Sequence, residues 1–341
     1  MDKGLTYGVN IDIANATKKE MAEVLKTDKR VLNKFGAFAS IFDLNFSNYK
    51  EPVLVLKTEE PGSKQLLAAQ YGSLETVAYD MINHLINDCI VMGATPLAIQ
   101  DAIICSKIVK EDINKIVKSI ADACEKQGCV LTGGETSEQP GVISNGTYIL
   151  TSSIVGIVEK SEVIDGSDIK EGDIVLGVSS SGIHTNGYTL VRTLIKEHPQ
   201  ILNEVINGKS FMNTILEPHR CYYNYVKNLF GTKMIHGMAH ITGGGICENL
   251  NRILPDNVNA EINLSKYNIL EIFKKIKTFG NVSDKEMLRT YNLGIGFVIV
   301  TDSKHSEDVK KHISKEGISC YEIGKIVKGN KQVVTIGNLN W

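Results

Sequence analysis

CVLTGGETSEQPG, residues 129–141, runs from an apolar triplet through two glycines to two carboxylates and a Pro-Gly pair. Cys129-Val130-Leu131 reads as a strand that ends at Gly133-Gly134, with Glu135 and Glu138 in the turn that follows. Glycines lack a Cβ, so their backbone N–H groups can approach an anion closely. Carboxylates beside such a turn suit Mg²⁺, which takes one or two of them together with phosphate oxygens and water. Taken alone, the stretch fits either a metal–nucleotide corner or a tight turn with solvated acids. Its neighbours decide the fold. Upstream lie a strand at 53–57, a helix at 74–92, a strand at 97–106 and a helix at 111–127; downstream, 148–159 is a long β-branched strand. Strand, helix, strand, helix, strand, strand is the order of an α/β or α+β domain. The polar run 166–173 (GSDIKEGD) marks its end, giving two domains, 1–168 and 169–341.

The helix at 74–92 carries a broad apolar stripe: Leu74, Val77, Ala78, Met81, Ile82, Leu85, Ile86, Cys89 and Ile90. Asp80, His84 and Asn87 recur on the other side, with Asp88 beside them. A solvated face explains such residues by default. Asn and Asp near a helix C-terminus nevertheless run against local preference and against the helix dipole, which makes them candidates for function. The next strand contains an awkwardly placed acid, Asp101.

In the second half, the strand 174–178 delivers Ser179-Ser-Ser-Gly-Ile-His-Thr-Asn-Gly187, and a helix follows over 188–197. Strand, Ser/Gly loop and helix can hold an anion at the helix N-terminus, although ordinary capping uses the same residues. His184 stands out there, because an imidazole beside a phosphate is useful in either charge state. A strand at 233–241 then runs into Thr242-Gly-Gly-Gly245 and a helix from about 246, echoing Thr132-Gly-Gly134 and offering a second phosphate cradle. Residues 198–218 read as loop and 219–230 as helix. The chain closes with a strand at 258–263, helices at 269–278 and 283–289, a strand at 297–301, a helix at 305–316 and strands at 320–327 and 331–336.

Composition narrows the function. The 341 residues are 43% hydrophobic and 22% charged, enough for a sizeable core. A net charge of −2 lacks the basic footprint of a nucleic-acid binder. No apolar run reaches membrane-spanning length, and the N-terminus has no apolar signal segment. Seven scattered cysteines without CxxC spacing indicate reduced, mostly buried thiols in a cytoplasmic protein. His236 and His240 have i, i+4 spacing, but their alternating surroundings read as a strand and not as a helical metal pair. GxxxxGK[ST] is absent, which excludes a P-loop enzyme.

Eight motifs occur in order: GVNIDIAN (8–15), FGAF (35–38), NDCIVMGATP (87–96), GGETSEQPG (133–141), VGIVEKSEVIDG (155–166), SSGIHTNGYTLVR (180–192), HITGGGICENLNRILPD (240–256) and EMLRTYNLGIG (286–296). Together they resemble the aminoimidazole ribonucleotide synthetase (phosphoribosylformylglycinamidine cyclo-ligase) family over nearly the whole chain. The resemblance implies an N-terminal domain whose strands form a barrel with those of a second copy in a homodimer. It also implies a C-terminal α/β sandwich domain that completes the substrate site. The implied reaction uses ATP to activate the formamide oxygen of formylglycinamidine ribonucleotide, after which the amidine side closes the imidazole ring and ADP and phosphate leave. Catalysis of that kind is mostly positioning and charge neutralisation. The resemblance places Mg²⁺ and ATP near Asp80, Asn87, Asp88 and Glu135, with Gly133 and Gly134 in the same turn, Glu59 as a further metal ligand, and Lys64 on the triphosphate. It gives His184, Asp88 and Lys64 catalytic roles, and it assigns Ser181, Asn186, Gly243, Gly244, Gly245, Arg289 and Thr290 to phosphate or ring closure.

One loop departs from the pattern. The family reads TDGVGTK where this chain has Thr58-Glu-Glu-Pro-Gly-Ser-Lys64. Glu59 is a methylene longer than Asp, Glu60 replaces a glycine, and Pro61 removes an N–H. A different substrate within the same superfamily, such as that of thiamine-monophosphate kinase, and a binding role without turnover both stay open at this level.

Overall fold

The computed structural model describes residues 16, 20–21, 28–33, 37–315 and 317–341. The expected helix near 17–33 falls largely outside that set, as do GVNIDIAN and Phe35-Gly36.

The first half contains β1 (Pro52–Glu59), α1 (Lys64–Gln70), α2 (Leu74–Ile90), β2 (Thr95–Cys105), α3 (Lys110–Lys126), β3 (Val130–Glu138) and β4 (Tyr148–Glu159). Its strands form one sheet in the order β1-β4-β2-β3. β4 runs antiparallel to β1 and β2, whereas β2 and β3 are parallel. A parallel neighbour needs a crossover, and α3 supplies it by burying Ile113, Ile116, Val117, Ile120 and Ala123. The apolar stripe of α2 is completely buried from Val77 to Ile90. At one edge β1 leaves Leu54 and Leu56 exposed (51% and 70%).

Two sequence readings need correction here. The strand does not stop at Gly133-Gly134; β3 continues through Glu135 to Glu138. β2 offers an uninterrupted parallel ladder, and the glycines are absorbed by a bulge: Ile99 faces Leu131 and Gln100 faces Gly133, so Thr132 is the extra residue. Gly133 takes φ +153° there. The expected helix over 219–230 shrinks to one turn, Tyr223–Val226, followed by a 3₁₀ turn at Lys227–Leu229. Side chains of α2 hold the preceding residues in a non-helical path, as described below.

The second half contains β5 (Ile174–Ser179), α4 (Tyr188–Glu197), the short ribbon β6 (Val205–Ile206) and β7 (Lys209–Ser210), β8 (Ile235–His240), α5 (Gly245–Asn251), β9 (Val258–Asn263), α6 (Glu271–Gly280), α7 (Asp284–Thr290), β10 (Ile295–Thr301), α8 (Ser306–Ser314), β11 (Cys320–Lys328) and β12 (Val333–Ile336). The six-stranded sheet runs β12-β9-β11-β5-β10-β8. Every residue of β10 is buried, as expected for a central strand covered on both faces. Only β12 and β9 pair in parallel in this sheet. The architecture is thus α/β with two mixed sheets, and among the described residues neither closes into a barrel within one chain. No helix of the described residues is long and apolar enough to cross a membrane. Six of the seven free cysteines are buried, and Cys247 is half-buried.

Candidate active site

The polar face of α2 is buried, and it binds the other half of the chain. Asp80 and Asn87 are fully buried, and Asn83 and His84 nearly so. The Asp80 carboxylate accepts the His219 N–H (2.6 Å), and Asn83 Nδ2 donates to the His219 carbonyl (2.6 Å). Asn87 donates to the Arg220 carbonyl and accepts the Tyr222 N–H, both at 2.8 Å. Lys64, completely buried, reaches the Asp80 carboxylate at 2.8 and 3.0 Å and donates to the Glu217 carbonyl at 2.7 Å. Burial opposes both charges, depressing Lys64 and raising Asp80 to about 6, while their mutual attraction works the other way. Lys64, expected on a triphosphate, and Asp80, expected on a metal, are paired with each other here. Each is committed to the other, and together with Asn83 and Asn87 they pin residues 217–222.

The outer end of the same helix is where charge converges. Lys57 Nζ lies 3.0 Å from Glu59 Oε2 and 3.0 Å from Asp88 Oδ2, a cation bridging two carboxylates. β1 brings Glu59 to this point and the last turn of α2 brings Asp88. Asp88 Oδ1 also pairs with His240 Nδ1 at 2.7 Å. Burial alone would raise the Asp88 carboxyl, yet the His240 hydrogen bond and the surrounding positive groups hold it well below the usual carboxylate range. The residues therefore fit a divalent cation: ionised oxygens already share a positive charge, and that charge sits on a 38% exposed side chain able to swing away.

Four imidazoles crowd beside this corner. His219 Nε2 meets His240 Nε2 at 2.8 Å, and His184 stacks on His219 with centroids 3.8 Å apart. His84 lies edge-on to His240 at 4.9 Å, and its Nδ1 meets Thr185 Oγ1 at 3.0 Å. Burial lowers His84 to about 4, helped by repulsion from His240, and pulls His184 and His219 well below the usual histidine range. These three rings are neutral at pH 7.

The loop between β5 and α4 holds His184 at φ +65°, a backbone region that disfavours side chains. The Ser181 N–H donates to His184 Nε2 (3.2 Å), which leaves the ring proton on Nδ1, a buried atom with no hydrogen-bond partner among the described residues. Asn292 secures the loop by donating to the Gly182 and Ile183 carbonyls and accepting the Ser180 hydroxyl (2.9 Å). Gly296 leaves room for the ring, since a Cβ there would overlap His184 and the Tyr222 hydroxyl.

The Gly243–Gly245 turn differs from its sequence reading. The Gly244 N–H donates to the Arg289 carbonyl and the Gly245 N–H to Thr242, so two of the three donors expected to cradle phosphate are engaged within the fold. Gly245 is required by packing, because a Cβ would collide with the Leu288 carbonyl. Asn186 lies against Gly243, the Ser181 hydroxyl donates to the Pro218 carbonyl, and Arg289 is exposed with its guanidinium 3.5 Å from Glu248. Thr290 ends α7 beside it. In the other half, Gly134 faces Asp101 across the β2–β3 ladder, and Glu135 is exposed on β3, outside both clusters of metal-ligating atoms found among the described residues.

Those clusters are His84-Asp88-His240 and His184-His219-His240. Asp88 and Glu59 are thus brought together around Lys57, and His184 belongs to the adjoining imidazole cluster through His219, whereas Lys64, Asp80 and Asn87 serve as a clamp between halves. His219 and His240 were missed. The i, i+4 spacing of His236 and His240 gave no guide to them, because a bulge at His236 breaks the alternation of β8 and the partners of this pair, Asp173 and Asp88, lie 63 and 152 residues away.

Comparison with known proteins matches residues 43–158 to the AIR synthase related protein N-terminal domain and residues 170–337 to its C-terminal domain. A phosphoribosylformylglycinamidine cyclo-ligase of Clostridium perfringens (strain 13 / Type A) is 41% identical over 335 residues, 96% of this chain and 99% of that protein. One from Chromobacterium violaceum is 40% identical over 322 residues, covering 94% and 93%. Among solved structures, the hydrogenase maturation protein HypE in complex with ATP superposes with a TM-score of 0.66 at 13% identity, covering 91% of this chain and 87% of that one, a likeness of fold. With both domain matches and near-full-length identity of about 40% in agreement, the chain belongs to the phosphoribosylformylglycinamidine cyclo-ligase family of AIR synthase related proteins.

Proposed function

We propose that this chain is a cytoplasmic ATP-dependent cyclo-ligase of de novo purine synthesis. It converts formylglycinamidine ribonucleotide and ATP to aminoimidazole ribonucleotide, ADP and phosphate. The observation that carries the proposal is the convergence of Glu59 and Asp88 on one cation beside His84 and His240, within a chain about 40% identical to curated cyclo-ligases. The HypE relative of this fold is solved with ATP. Asp88 and Glu59 would hold Mg²⁺, which neutralises phosphate charge when bound. With Lys57 displaced from the carboxylates, its ammonium can follow the phosphates. His184 carries a buried, unpaired Nδ1–H that a movement of its loop would present to an oxygen of the substrate, and neutrality at pH 7 lets it donate without an added positive charge. Arg289, Thr290 and Asn186 would take the substrate phosphate, with exposed Arg289 as the mobile cation. A homodimer is part of the proposal: the edge strand β1 exposes Leu54 and Leu56, an apolar strip that a second copy would cover while completing a barrel.

A coupled assay tests this reading. ADP release that depends on formylglycinamidine ribonucleotide, with aminoimidazole product formed, is the expected result. ATP binding without turnover would leave only a binding role. Asp88→Asn should lower kcat by at least ~10²-fold, the scale of losing one preorganised charge-stabilising group.

A further inference from the structure

We propose that His84, His240 and Asp88, with Glu59 beside them, bind a borderline divalent transition ion such as Zn²⁺. One nitrogen or oxygen from each of the first three lies within 4.8 Å of the others. His84 Nε2 stands 3.7 Å from Asp88 Oδ2 and 3.8 Å from Glu59 Oε2. Those separations are too long for hydrogen bonds. They lie near the ligand-to-ligand spacing of about 3.4 Å around a tetrahedral ion with ~2.0–2.1 Å bonds, and ligation would replace the 2.7 Å hydrogen bond between His240 Nδ1 and Asp88 Oδ1. Two imidazoles and a carboxylate are a donor set that Zn²⁺, Co²⁺ and Fe²⁺ accept, whereas Mg²⁺ prefers oxygen and water.

Each ligating ring is also oriented from behind. His84 Nδ1 meets Thr185 Oγ1 (3.0 Å), and His240 Nε2 meets His219 Nε2 (2.8 Å). Metal-binding histidines characteristically spend their second nitrogen in this way. The alternative trio, His184-His219-His240, is a poorer cage, because His184 and His219 stack with only 21° between their planes and their lone pairs do not converge. Lys57 already places a positive charge between Asp88 and Glu59, and an entering ion would displace it.

The inference rests on reading Asp88 and Glu59 as a metal corner but not on turnover, so binding is measured directly. Metal-stripped chain is titrated calorimetrically with Zn²⁺, Mn²⁺ and Mg²⁺, and its Co²⁺ visible spectrum is recorded. Nitrogen ligation should follow the Irving–Williams order, with Zn²⁺ at least ~100-fold tighter than Mn²⁺. It should also give the intense band of a low-coordinate Co²⁺ site. His84→Gln should lose that Zn²⁺ preference while keeping Mg²⁺ binding. Thr185→Val should weaken Zn²⁺ by ~10–100-fold, and His236→Gln, outside the site, should change neither. Weak octahedral Co²⁺ absorption, or unchanged Zn²⁺ affinity in folded His84→Gln, would overturn the transition-ion site and spare the Mg²⁺ corner. Failure of the wild-type chain to bind any divalent ion would overturn both. The wild-type spectrum decides even if a variant does not fold.

Discussion

At Gly134 a methyl group would overlap both the carboxyl group and the backbone oxygen of Asp101. The sequence showed two adjacent glycines and suggested an anion approaching them; the structure shows that the second glycine makes room for a neighbouring acid. That relation depends on the bulge at Thr132, which slides the β2–β3 register so that Gly134 falls opposite Asp101. Nothing local to residues 129–141 encodes such an offset, although Asp101 already looked misplaced in its apolar strand. Gly134→Ala should therefore destabilise the fold by about 1–3 kcal/mol, the usual cost of overpacking. Adding Asp101→Asn should not rescue it, because the backbone oxygen stays in the way. Urea denaturation measures both, and a wild-type midpoint in Gly134→Ala would refute the packing role.

α2 shows what periodicity conveys about an element and what it cannot. Its apolar stripe was legible from Leu74 to Ile90, and so was a second polar face containing Asp80, His84 and Asn87. Whether that face met water or protein was not legible, because its partners are Thr185 for His84 and residues 217–222 for the rest, all at least 101 positions later. Asn87 illustrates the consequence: it bonds the Arg220 carbonyl and the Tyr222 N–H and thereby keeps this segment out of the helix its sequence favours. Removing a side chain that satisfies two buried backbone groups costs roughly 1–3 kcal/mol for each group left unpaired. Asn87→Ala should lower stability accordingly and speed amide exchange at Tyr222, while exchange in β10 should change only as much as global stability does. Unaltered protection at Tyr222 would show that other contacts hold the segment.

Over the whole molecule, buried histidines and buried carboxyls pull pH dependence in opposite directions, and counting protons decides between them. His84 (about 4), His184 and His219 titrate in the folded chain well below the 6.5 of ordinary histidine, chiefly because burial penalises the cation. Between pH 6.5 and 4 the unfolded chain thus binds up to three protons that the folded chain refuses, and stability falls as pH falls. Asp80 (about 6) and Asp101 (about 7) are raised, again chiefly by burial. The folded chain keeps their protons after the unfolded chain has released them near pH 4, so their contribution is lost as pH rises to 6 and 7. Three protons against two leave about one in favour of higher pH, a slope of ~1.4 kcal/mol per unit on the acid side. At pH 6.5 the unfolded histidines are still half protonated, about 1.5 protons against about one on the two folded carboxyls, so the rise should slow above pH 6.5 and level off between about pH 7 and 8. Metal-stripped chain unfolded by urea at a series of pH values from 4.5 to 8 tests the balance. Asp101→Asn should steepen the acid limb by one proton, whereas His219→Gln should flatten it by one. Stability that climbs steadily as pH drops from 6.5 to 4.5 would mean that the carboxyls dominate and that the imidazole cluster is charged in the folded chain.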